Sequence, residues 1–97
     1  MKAKASGRAY ASIWDAIEDT PAAAANMKLR SALMMALARH IEREKLTQKE
    51  AAKAFGVTQP RISDLVRGKI DLFGLDTLVN MASAAGLRVD MKLKKAA

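Results

Sequence analysis

Apolar side chains recur along this 97-residue chain with two different periods. From Ser12 to Gly86 they fall three and four apart, the spacing of helices that bury one face. From Leu87 they alternate strictly with polar residues, the spacing of a half-buried strand. Capping and breaking residues divide the helical part into segments. Ser12 opens a short one in which Ile13, Trp14 and Ile17 share a face. Two turns cannot stand alone in water, so that face lies either on its own domain or on a partner. Thr20-Pro21 is a helix start, with Thr as N-cap and Pro in the first turn, and no breaker follows until Leu46-Thr47. The spacing predicts one helix from Pro21 to about Lys45, with Leu33, Met34, Leu37 and Ile41 facing the core and Arg39, Glu42 and Arg43 facing water. Its first half, PAAAANM, can form helix but has little to bury.

The stretch from Leu46 to Lys69 holds two short helices. Thr47 caps the first, with Glu50 completing a capping box, and the helix runs through about Phe55. Gly56 supplies a left-handed stop. Thr58 caps a second helix through about Arg67, which Gly68 ends. Leu46, Ala51, Ala52, Phe55, Val57, Ile62 and Leu65 fall where one shared core needs them. Gln59, Arg61, Ser63 and Asp64 remain on the outer face and the N-terminal turn of the second helix. A short helix, a glycine turn and a second helix with a polar face make a helix-turn-helix. Downstream, Asp71 caps a short turn, and a helix over Leu75 to Ala85 buries Leu75, Leu78, Val79 and Ala82, with Met81 at the margin. In the strand LRVDMKLK, Leu87, Val89, Met91 and Leu93 alternate with Arg88, Asp90, Lys92 and Lys94. A lone strand leaves its backbone unpaired, so these residues predict antiparallel pairing with a second copy about a two-fold axis; a different protein adding to the edge is the other reading. The expected fold is all-α: a bundle of about five helices with a central helix-turn-helix and one short C-terminal β-strand. Residues 1–11 and 95–97 are tails, and 12–94 form one domain.

Charge adds a partner to this picture. Seventeen Lys and Arg against ten Asp and Glu give +7, with a pI near 10.1, which points to an anionic partner. Lys45, Lys49, Lys53, Arg61, Arg67 and Lys69 face only Glu50 and Asp64, so residues 45–69 carry +4. The basic tail at residues 1–11 is either a solvated end or an arm that settles on DNA. With no cysteine there is no disulfide framework or thiolate metal site. The single histidine, His40, reads as a boundary residue, and Met34-Met35 as core filler. No apolar run approaches a membrane span and no signal peptide is evident, so the expected location is the cytoplasm. Scattered carboxylates, a lone His and no glycine-rich phosphate loop give an enzyme no convergent set of residues. No catalytic residue, metal or cofactor is expected.

TQKEAAKAFGVTQPRISDLVRGK resembles the helix-turn-helix of the XRE (Cro/C1-type repressor) family. Together with ANMKLRSALM before it and RGKIDLFGLDTLVNMASAAGLRVDMKL after it, the pattern over residues 12–94 resembles the regulators related to HigA-type antitoxins of toxin–antitoxin operons. The resemblance implies a dimeric helical DNA-binding domain that represses its own operon. For the antitoxin members it further implies a cognate ribonuclease-like toxin that is neutralised on binding. A stand-alone repressor without a toxin, and a protein-interaction module with a vestigial helix-turn-helix, are the alternatives.

A helix-turn-helix places the N-terminal turn of its second helix in the major groove. There Thr58 is the cap, Gln59 can bond an adenine, and Pro60 can touch a thymine methyl. Arg61 can grip guanine at two points or hold phosphate, and Ser63 can contact backbone or base. Asp64 either accepts from cytosine or holds Arg61 or Arg67, the second being favoured. Gln48 matches the family's phosphate-clamp position, and Lys49, Arg67 and Lys69 add charge at the margins. The expected partner is double-stranded DNA with a palindromic operator, and no membrane. Two such subunits would read half-sites about 34 Å apart, with a log–log salt slope of about −7 to −9.

Overall fold

A computed structural model describes residues 20–95. Its elements are α1 (Pro21–Arg43), α2 (Gln48–Phe55), α3 (Gln59–Val66), a 3-10 turn (Ile70–Leu72) and α4 (Leu75–Ala84). The described residues are thus all-helical, with four α-helices. The short helix expected at 12–19, and the tail at 1–11, lie outside them.

Local chemistry sets the helix boundaries. Thr20 takes an extended conformation and its side chain accepts the Ala23 N–H at 3.2 Å, while Pro21 opens α1. Thr47 and Glu50 form the full capping box of α2: Thr47 Oγ1 accepts the Glu50 N–H at 3.1 Å, and Glu50 Oε1 accepts the Thr47 N–H at 2.8 Å. Each of the four helices then closes with a pair of reversed hydrogen bonds around a residue of positive φ: Lys45, Gly56, Gly68 and Gly86. After α1, for example, Leu46 N–H bonds Ile41 O and Lys45 N–H bonds Glu42 O. This is the Schellman end, which satisfies carbonyls the helix leaves open. It stops α1 at Arg43, short of the expected Lys45.

The bundle closes around one core. Met34, Leu37 and Ile41 of α1, Ala51, Ala52 and Phe55 of α2, and Ile62 and Leu65 of α3 are buried with Leu78, Met81 and Ala82 of α4. Leu33, Leu46, Val57 and Ile70 pack against its edge. The α2–α3 pair rests on α1 and α4, so the outer face of α3 is held by a floor of Ile62 and Leu65, both nearly inaccessible. His40 sits half-buried at the margin, its ring 6.1 Å from that of Phe55.

Three expectations are corrected. Val79 is 40% exposed and Met81 only 1%, because α4 meets α1 and α2 through the arc Leu78–Met81–Ala82, from which Val79 is turned about 100° away. Met35, expected with Met34 as core filler, is 51% exposed, whereas Phe73, between the 3-10 turn and α4, is 1% exposed and part of the core. The C-terminal strand is not formed: residues 87–95 have no ladder among the described residues. Leu87 packs on the core and its N–H bonds Ala82 O at 2.9 Å. Beyond it Val89, Met91 and Leu93 are 37%, 78% and 93% exposed. A strand needs an edge to pair with, and the described residues of a single copy offer none.

Candidate nucleic-acid interface

The outer face of α3 is built from its N-cap. Thr58 holds φ −83° and ψ 161°, and its hydroxyl accepts the Arg61 N–H at 3.3 Å, with Pro60 in the first turn. The cap fixes where the helix begins, so Gln59 and Pro60 stand exposed on the opening turn. Pro60, Ser63 and Arg67 recur on the side opposite the buried Ile62 and Leu65. Ser63 and Asp64 are half-buried, and Arg67, the C-cap, is exposed. No helix among the described residues is long and apolar enough to cross a membrane. Among the same residues no cluster of three His, Cys, Asp or Glu could hold a metal ion.

Two charged residues have partners the sequence reading did not assign. Asp64 pairs with neither Arg61 nor Arg67; its carboxylate lies 3.9 Å from Lys69 Nζ. At that length, and with the lysine half exposed, the pair is a weak solvent-screened contact. Arg61 instead donates from Nη1 to Leu72 O at 3.2 Å, with its guanidinium 5.3 Å from the centre of the Phe73 ring. The side chain is half-buried along the segment that follows the 3-10 turn.

The remaining candidates lie around α2 and the loop after α3. Gln48 and Lys49 are exposed on the first turn of α2, where open N–H groups favour an anion. The Glu50 carboxylate already holds the Thr47 N–H there, so part of that anion-attracting end is satisfied internally. Lys69 is exposed beside the end of α3. The dimerisation candidates Leu87, Val89, Met91 and Leu93 belong to the irregular C-terminal segment, outside the α2–α3 pair.

Arg30 is a residue that sequence reasoning missed. Its Nε donates to Asn26 Oδ1 at 2.7 Å and its Nη1 to Ile70 O at 3.2 Å. The 3-10 turn is thereby held from α1 by Arg30 and from α3 by Arg61. No periodic signal marks either contact, since the acceptors are loop carbonyls.

A family model described as a helix-turn-helix domain matches residues 16–94. No curated protein matches the chain.

Proposed function

The chain belongs to the helix-turn-helix domain family, and on that premise we propose that it is a sequence-specific transcriptional regulator of the XRE type. It acts as a homodimer in the cytoplasm on a palindromic operator, and not as an enzyme. The observation that carries the reading is the α2–α3 pair itself. Two capped helices are set by Gly56, with an exposed polar turn at Gln59–Pro60 and a local excess of base over acid. In this reading Gln59, Pro60, Arg61 and Ser63 face bases, while Gln48, Lys49, Arg67 and Lys69 face phosphates.

The dimer is supported by the alternating C-terminal segment, whose Met91 and Leu93 are exposed. A second copy offers them an antiparallel edge. Sedimentation of the wild type and of Leu93→Asp tests this. A dimer that the substitution converts to monomer supports the strand, and a monomeric wild type refutes it.

Within this class we favour an antitoxin that represses its own promoter and neutralises a partner toxin. That choice is supported by the resemblance over residues 12–94. Co-expression with the neighbouring gene product tests it: rescue of growth supports the antitoxin, and no interaction leaves a stand-alone repressor.

The DNA reading is tested by titrating a duplex carrying the chain's own upstream region against a scrambled duplex, at about physiological salt. A preference of at least about 10³ for the first supports an operator. Equal, weak binding to both refutes operator binding at that site and favours a protein-interaction role.

A further inference from the structure

The segment after α3 is braced from two sides. Arg30 of α1 donates to Ile70 O at 3.2 Å, and Arg61 of α3 donates to Leu72 O at 3.2 Å. Phe73 follows, its ring buried in the core with one face under the Arg61 guanidinium at 5.3 Å. An exposed arginine is a rotamer-rich side chain, and fixing it on binding costs affinity. Here a solvent-exposed hydrogen bond to one carbonyl and one aromatic face hold it against the segment that follows the 3-10 turn. A guanidinium has five N–H donors in a planar fork. One goes to Leu72 O, and four remain, enough for a two-point grip on a base edge or a phosphate.

We infer that Phe73 is a positioning residue for DNA recognition: with Leu72 O, it holds the Arg61 guanidinium ordered at the first turn of α3 in the free protein. The inference rests on the reading of α3 as the recognition helix. Phe73 acts through Arg61 and touches no nucleotide. The braced turn therefore links the core to specificity, because any shift of Ile70–Phe73 moves the platform on which the arginine lies. Cation–π contacts of this kind are strongest when partly desolvated, which suits a half-buried arginine over a buried ring.

Two measurements on the full chain test it. The first needs no variant and no DNA: 15N relaxation of the arginine Nε–Hε groups. Arg61 is expected to have a clearly higher order parameter than the outward-facing Arg39, which falls below about 0.6. An Arg61 as mobile as Arg39 overturns the inference. The second uses the preferred duplex selected from a random library, and the one base pair whose replacement penalty disappears in Arg61→Ala. Phe73→Leu, with folding checked by circular dichroism, is expected to lower affinity for that duplex by about three- to tenfold. The loss should concentrate at that base pair and vanish in the Arg61→Ala background. A loss of equal size in both backgrounds is what a purely structural role would give, and overturns the inference. A library that yields no preferred sequence overturns the DNA reading itself, whatever the relaxation data show.

Discussion

Lys45 adopts a φ of 55° although it is not glycine, and this allows the backbone logic of the fold to be tested in both directions. The left-handed region costs an L-residue with a Cβ about 1–2 kcal/mol. Glycine escapes that cost but loses about 0.4–1 kcal/mol more chain entropy on folding than alanine. At a position of positive φ, glycine should therefore be more stable than alanine by roughly 1 kcal/mol, the difference of those two terms. Gly56, the turn of the helix-turn-helix, has φ 71°, and a Cβ there would meet Ala84 Cβ at 3.7 Å, an ordinary contact. Gly68 has φ 74° and open space. Gly56→Ala and Gly68→Ala should consequently cost the same, about 1 kcal/mol each, with no packing term separating them. At Lys45 the useful comparison is Lys45→Gly against Lys45→Ala, since both remove the cation near the α1 C-terminus and its helix-dipole contribution. The glycine variant should be the more stable by about 1 kcal/mol, or roughly 4–8 °C in midpoint for a domain of this size. At the exposed Ala36 inside α1 the sign should reverse, with Ala36→Gly costing about 1 kcal/mol. Urea unfolding followed by far-ultraviolet circular dichroism, with unchanged m-values, measures all of these. A Lys45→Gly protein no more stable than Lys45→Ala would refute the reasoning. So would a Gly56→Ala cost several times that of Gly68→Ala.

Thr58→Ala removes the acceptor of the Arg61 N–H and should cost about 1 kcal/mol, with Thr58→Ser restoring most of it, read from the same unfolding curves. Ile62 is inaccessible in the floor beneath α3, so Ile62→Ala should cost about 2–5 kcal/mol; a loss below about 1 kcal/mol would mean the floor collapses around the gap. Arg67→Gln should leave the unfolding midpoint unchanged but reduce the log–log salt slope of DNA binding by about 2 in a dimer, one phosphate per subunit. Asp64→Asn removes a carboxylate near the duplex and should tighten binding to every sequence, checked by titrating selected and scrambled duplexes. Weaker binding confined to one C·G pair would instead make Asp64 a cytosine acceptor.

The helices were legible because their boundaries are written in short-range chemistry. Thr20, Thr47 and Thr58 each cap a helix within three residues, and Gly56, Gly68 and Gly86 each end one. The amphipathic stripe of α1 was legible for the same reason: a period can be counted without knowing what lies opposite. What the sequence did not reveal depended on what lies opposite. Val79 and Met81 are two residues apart and both apolar, and only the placement of α1 and α2 decides which one is buried. Phe73 lies between a 3-10 turn and the Gly74 cap, where no period operates, yet it is among the most buried side chains. The alternation from Leu87 to Leu93 is genuine, but a strand is a relation between two segments. The described residues of one chain supply only one of them.

At the candidate interface the division falls in the same place. The exposure of Gln59 and Pro60 follows from the Thr58 cap and the buried Ile62 and Leu65, all within one helix. Asp64 was expected to reach Arg61 or Arg67, its neighbours three residues away on a continuous helix. The helix does not continue. Gly68, at φ 74°, folds the chain back so that Lys69 N–H bonds Asp64 O at 3.1 Å, and this brings the lysine ammonium to the carboxylate. The glycine that could be read as a stop signal thus also selected the ion pair, five residues apart rather than three. Arg61 instead meets Leu72 O and Phe73, eleven and twelve residues downstream. The backbone that follows α3 therefore supplies the contacts of both half-buried side chains. A substitution at Gly68 should be felt at the duplex through both.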